Sequence, residues 1–162
     1  MADDSPCVLD IEASGFGHGS YPIEVGYVLP DGRAWCTLIR PEASWIHWDP
    51  AAEHVHHIAR DTLARHGRTA AEVAAVLNRD LAGLTVYCDG WAHDYPWLGV
   101  LFEAAQSTPR FHLETVARLL DEAQLQRLDA LQIQARAELG LSRHRASSDA
   151  RVLQRALARL GP

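Results

Sequence analysis

Pro6-Cys7-Val8-Leu9-Asp10-Ile11-Glu12 reads as an apolar strand that ends in two carboxylates. Successive strand side chains point to opposite faces, so Val8, Asp10 and Glu12 share one face and Cys7, Leu9 and Ile11 the other. An apolar run of this kind suits a central strand. Downstream, residues 22–29 (Pro-Ile-Glu-Val-Gly-Tyr-Val-Leu) and 33–40 read as two more strands. Pro30-Asp31-Gly32 between them supplies a tight turn, which predicts an antiparallel hairpin.

Residues 41–50 form a loop rich in Pro and Trp, and a helical pattern runs from 51 to 82. Leu84-Thr-Val-Tyr-Cys88 has the look of a buried strand, followed by a helix over about 95–106. A short strand near 110–113 and helices near 115–138 and 148–160 complete the pattern. The expectation is an α/β fold over residues 1–162 as a single domain. Its central sheet is mixed, with three antiparallel strands first, then parallel strands, and helices flank it.

The bulk properties narrow the possibilities. A chain of 162 residues, 48% hydrophobic and with five tryptophans, can bury a full core. No apolar run reaches the roughly 18 residues of a membrane span, so no membrane partner is expected. The opening Met-Ala-Asp-Asp-Ser has neither the basic start nor the apolar centre of a signal peptide. Cys7, Cys36 and Cys88 are odd in number and lack a CxxC pair, which fits a reducing, cytoplasmic setting. The net charge of −6 argues against coating a long nucleic acid electrostatically. All the basic side chains are Arg, and they are skewed: residues 1–109 hold 6 Arg against 15 acids, residues 110–162 hold 9 against 6.

Two later acids complete a pattern with Asp10 and Glu12. Asp94 precedes Tyr95-Pro96 and can be read as a helix N-cap. It also heads the apolar series Leu98, Leu101, Ala105, which points it inward. Asp149 heads Leu153, Ala156 and Leu160 in the same way, while Ser147 or Ser148 can cap that helix. Asp89 competes with Asp94 for the same place. Two carboxylates about 4 Å apart repel by about 4 kcal/mol at an effective dielectric near 20. Four inward-facing acids therefore call for cations. Two Mg²⁺ ions, for which Mn²⁺ can substitute, would neutralise them, and paired ions of this kind suit in-line phosphodiester hydrolysis. His144, just ahead of the last helix, is placed to accept a proton from the attacking water.

Asp10-x-Glu12, Asp94 before an apolar helix, and His144-x4-Asp149 resemble the three motifs of the DEDD superfamily of 3′-to-5′ exonucleases, in its histidine-containing (DEDDh, DnaQ-like) branch. Ile23-Glu24-Val25-Gly26 is similar to a segment often found on that family's second strand. The resemblance runs from about residue 6 to 160. It implies an RNase H-like fold, two divalent ions held by Asp10, Glu12, Asp94 and Asp149, and His144 as general base. It also implies release of nucleoside 5′-monophosphates from a 3′ end, and the acidic surface favours single-stranded or frayed DNA or RNA, or short oligonucleotides, over a long duplex.

Where relatives carry two Thr and a Gly after the Glu, this chain has Ala13-Ser14-Gly15. Ser14, Gly15 and Phe16 are thus expected near the terminal nucleotide. His57-Ile58 matches a His-Gly-Ile element near the family's site, and Arg145, with Arg143, is a candidate phosphate contact. His54 and His57 lack the i,i+4 spacing that suits a shared metal, and Trp45 and Trp48 are read as packing residues. Some relatives are dimers, so a homodimer or a polymerase partner is open. The alternative reading is a non-catalytic module that binds nucleic acid or a polymerase and retains the fold.

Overall fold

The computed structural model describes residues 5–161; residues 1–4, read above for a leader, lie outside the described residues. Strands β1 (Cys7–Ala13), β2 (Pro22–Val28), β3 (Ala34–Leu38), β4 (Thr85–Cys88) and β5 (His112–Thr115) form one sheet in the order β3-β2-β1-β4-β5. The β1–β2 and β2–β3 pairs are antiparallel, and β1–β4 and β4–β5 are parallel. This is the mixed sheet the sequence predicts, with β1 at its centre. The β2–β3 turn closes through Leu29 N–H to the Arg33 carbonyl at 2.8 Å, with Gly32 at φ +85°.

The two faces of β1 feed two cores. Cys7, Leu9, Ile11 and Ala13 pack with α3 (Ala70–Asp80) and α4 (Trp91–Ala104). Val8 and Val28 pack under α6 (Ala146–Leu160), with Leu128 of α5 (Glu122–Leu139) in the same cluster. Asp10 and Glu12 therefore lie on the α6 face. On β2, Gly26 pairs with Asp10 and Glu24 with Glu12, so those residues share that face too. A Cβ on Gly26 would stand 2.7 Å from Ser147 N and 2.8 Å from the Ala146 carbonyl carbon. Its bare backbone is what lets the first turn of α6 rest on the sheet beside Asp10. The β1–β2 register shifts between Glu12 and Ala13, and irregularities of this kind often re-aim side chains next to functional sites.

Several boundaries differ from expectation. The helical stretch 51–82 is three helices: α1 (Pro50–His56), α2 (Arg60–His66) and α3. His57 ends α1 in the left-handed conformation at φ +58°. Gly67 leaves α2 extended, its backbone against Arg40 and Ile39, where a Cβ would sit 2.5 Å from Arg40 N. Helix α4 starts at Trp91 behind Gly90, which puts Pro96 inside the helix and makes Asp94 a first-turn residue rather than the cap. Strand β5 begins two residues late, and residues 116–118 form a 3-10 turn capped by Thr115. Asp121 then opens α5 through a capping box with Gln124. Helix α6 begins at Ala146 with Arg145 at the cap position, so neither Ser147 nor Ser148 caps it.

Candidate active site

Three separate segments deliver acids to one cleft. Asp10 and Glu12 come from the carboxyl end of β1, Asp94 from the first turn of α4 just beyond β4, and Asp149 from the first turn of α6. All four, with His144, line a cavity of about 560 Å³ whose other walls include Gly15, Phe16, Val55, His56, His93 and Trp97. Glu12, His144 and Asp149 can place one ligand atom each within 4.8 Å of one another. Helical phase works as the sequence predicts: Asp94 is 3% exposed and leads Leu98 (4%) and Leu101 (0%). Asp89 instead lies at the exposed rim, accepting from Gln132 Nε2 at 3.0 Å.

Charge is crowded here. Asp10 Oδ2 and Asp94 Oδ2 are buried and have no hydrogen-bond partner among the described residues, a costly state for a carboxylate unless a cation meets it. Burial first, then Asp94, Glu12 and Asp149, hold the Asp10 carboxyl well above the usual range. Burial, and next the charge of Asp149, push Glu12 up to about 8. Asp94 is raised to about 7, chiefly by burial, with the Asp89 charge adding to it and a Cys88 hydrogen bond opposing. A cluster of hard oxygen donors with two orphaned oxygens fits Mg²⁺ or Mn²⁺ better than a soft-ligand metal.

Asp149 differs from the other acids. Its Oδ1 accepts from Arg136 Nη2 at 2.8 Å and its Oδ2 from the His144 backbone N–H at 3.0 Å. Arg136 also donates from Nη1 to the Ser142 carbonyl at 3.0 Å, so one guanidinium folds the loop that carries His144. His144 itself sits at φ +59°, an unusual conformation for a residue with a Cβ. Arg136 is thus an internal cation that offsets part of the charge of the four acids. It offers only a weak sequence signal, being one of two Arg on a polar helix.

Three of the expected substrate contacts lie elsewhere. Arg145, half exposed, clamps the buried Glu24, with Nη2 to Oε2 at 2.7 Å and Nε to the two oxygens at 3.2 and 3.1 Å. Glu24 Oε1 also accepts from Ala146 N–H at 2.7 Å, tying α6 to β2. Ser14 is fully buried; its hydroxyl accepts from Tyr21 N–H and bonds His47 Nδ1 at 2.9 Å, so it shapes the loop behind the cleft. His57 faces outward beside Pro50, Glu53 and His54, because the left-handed residue closing α1 turns away from the cleft.

His56 takes that place. It is 3% exposed, its Nδ1 accepts from Ile58 N–H at 3.0 Å, and its buried Nε2 has no partner among the described residues. Ala52, Val55 and His56 recur at helical spacing along the cleft wall, a signal readable once α1 is phased. Gly15 and Phe16 do line the cleft, and Phe16, 67% exposed, packs edge-on to His93 at 4.9 Å. Trp45 stacks on Tyr21 at 5.2 Å and Trp48 donates to Glu53 at 2.7 Å, the packing roles expected.

No family model matches this chain, and no curated protein matches it in sequence. Solved structures do match in fold. Exonuclease I from Methylocaldum szegediense superposes with a TM-score of 0.72 at 16% identity, over 95% of this chain and 39% of that one. E. coli exonuclease I in complex with a dA16 oligonucleotide gives 0.69 at 14%, over 95% and 40%. A 3′-exonuclease that recognises the 3′ end of a histone mRNA stem-loop gives 0.67 at 14%, over 96% and 63%. The chain has the RNase H-like fold of these enzymes and spans about two fifths of the length of the exonuclease I chains.

Proposed function

We propose that this chain is a metal-dependent 3′-to-5′ exonuclease of the histidine-containing DEDD type. It acts on single-stranded or frayed 3′ ends and releases nucleoside 5′-monophosphates. The observation that carries the reading is the convergence of Asp10, Glu12, Asp94 and Asp149 on one cleft, with orphaned buried oxygens on two of them. Solved relatives in fold support it: E. coli exonuclease I has been captured with single-stranded DNA and with zinc.

The four carboxylates hold two divalent ions, Mg²⁺ or Mn²⁺. When bound, such ions supply Lewis-acid charge to the scissile phosphate and ease deprotonation of the attacking water. His144 accepts that proton; Asp149 fixes its backbone and Arg136 fixes Asp149. The apolar wall of Phe16, Val55 and Trp97 receives the terminal nucleoside, with Gly15 giving its backbone close approach. At Gly15, φ is +153° and a Cβ would lie 2.7 Å from that of Asp49, so no side chain fits there. A net charge of −6 favours short single strands over long duplexes.

The test is hydrolysis of a labelled single strand with Mg²⁺ by wild type, Asp10→Ala and His144→Ala. Both variants should lose at least about a hundredfold in rate. Wild-type rates in either would overturn the mechanism. Strand and metal binding with no hydrolysis by the wild type would favour the non-catalytic module.

A further inference from the structure

The acids stand where two unlike cavities meet. The larger has the apolar walls described above. The second, of about 410 Å³, shares Asp10, Gly90, His144 and Asp149 with it and is otherwise lined by Asp89, Gln132, Arg136, Arg143 and Leu153. A terminal nucleoside in the apolar half, with its phosphate at the acids, leaves the rest of the strand to continue through this polar half.

Of the arginines near His144, two are engaged. Arg145 is clamped on Glu24, and Arg136 is shared between Asp149 and Ser142. Arg143 is exposed, lines the polar cavity and has no ion-pair partner among the described residues. On the lining of the same cavity, Gln132 Nε2 donates to Asp89 Oδ2 at 3.0 Å. An unpaired guanidinium in a polar groove is a ready partner for a phosphate, whose geometry it matches as a fork.

We infer that the polar half of the cleft is a subsite for the nucleotide upstream of the scissile bond, and that Arg143 contacts the phosphate of the second linkage from the 3′ end. The inference rests on the exonuclease reading and narrows it. The preferred substrate carries at least one phosphodiester beyond the one cleaved, and Arg143 is a substrate-binding rather than a proton-transfer residue.

The experiment compares wild type and Arg143→Gln on three substrates. These are the p-nitrophenyl ester of thymidine 5′-monophosphate, which has no upstream nucleotide, a thymidine trinucleotide, and the same trinucleotide with a neutral methylphosphonate at the second linkage. Arg143→Gln should raise KM for the native trinucleotide roughly tenfold, the scale of one charge-assisted hydrogen bond. kcat should stay near wild type, and the p-nitrophenyl ester should be unaffected. With the methylphosphonate, the KM of wild type should rise to that of the variant, and the KM of the variant should rise no further.

An equal loss on the p-nitrophenyl ester, an unchanged KM on the native trinucleotide, or fully additive losses from the variant and the methylphosphonate would each overturn the assignment. Fluorescence-anisotropy binding of the two labelled trinucleotides, with Ca²⁺ replacing Mg²⁺, reads the same cycle without turnover. Wild type inactive on every substrate would overturn the exonuclease reading. The anisotropy cycle would still decide the subsite: non-additive losses support it and additive losses overturn it. A thermal melt of Arg143→Gln should match wild type, since the side chain has no ion pair to lose.

Discussion

Replacing Asp10 by Asn should stabilise the metal-free protein while removing its response to Mg²⁺. Asp10 shares its cleft with Glu12, Asp94 and Asp149, and burial together with those charges raises its carboxyl. A carboxyl raised on folding stabilises the fold below its ordinary value, and that contribution is lost as pH climbs through the folded value. For Glu12 the climb runs from 4.5 to about 8, and for Asp94 from 3.8 to about 7, so metal-free wild type should lose stability between about pH 4 and 8.

Two carboxylates about 4 Å apart repel by about 4 kcal/mol at an effective dielectric near 20. Arg136 offsets part of the charge through Asp149. Removing one acid should therefore be worth about 2–3 kcal/mol at pH 8, or about 4–12 °C in Tm for a domain of this size. The new amide can donate to the acids around it, so it creates no orphaned donor. The assay is a thermal melt of both proteins at pH 5 and pH 8, in EDTA and in Mg²⁺. Wild type should fall in Tm from pH 5 to 8 in EDTA and recover with Mg²⁺. Asp10→Asn should fall less and gain little from the ion. A variant less stable than wild type in EDTA at pH 8, or one still raised fully by Mg²⁺, would show that Asp10 is neither repelled by its neighbours nor needed for the ion.

Three further expectations test how the site is held. Gly26→Ala drives a methyl to 2.7 Å from Ser147 N and should cost about 1–3 kcal/mol as α6 is lifted, with activity falling further than stability; chemical denaturation alongside the strand assay checks this. Glu24→Gln weakens the clamp on Arg145 and Ala146, and because Arg145 is half exposed the cost should be only about 1–3 kcal/mol, read as a lower Tm. Arg136→Gln frees Asp149 and removes a positive charge, so turnover should fall while the Mg²⁺ concentration for half-maximal rate also falls. A metal titration of the rate separates that pattern from simple misfolding.

The parts of the site legible in the sequence were those written in a period. Strand alternation placed Asp10 and Glu12 together, and the helical stripes behind Asp94 and Asp149 turned those acids inward. Phase also favoured Asp94 over Asp89, and it is Asp94 that the cleft buries. What escaped depended on one-residue choices or on tertiary partners. His57 is picked out by the Ile58 that follows it, and the left-handed end of α1, which turns His57 outward and leaves His56 on the cleft, has no mark in the sequence. Arg145 reads as a phosphate contact from its place beside His144, and its clamp on Glu24, 121 positions away, has no local mark. Pro96 read as a helix start, yet it lies inside α4 because Gly90 opens the helix one turn earlier. The break before α5 did carry a local mark, the Asp121-x-x-Gln124 capping box.

The most direct measurement follows one single strand labelled at its 5′ end, incubated with the protein and Mg²⁺ and sampled over time. Labelled products should shorten from the 3′ end one nucleotide at a time, with nucleoside 5′-monophosphates released, and none should form in EDTA or with Asp94→Asn. An intact strand, immediate release of the 5′ label, or unchanged products in EDTA would contradict it.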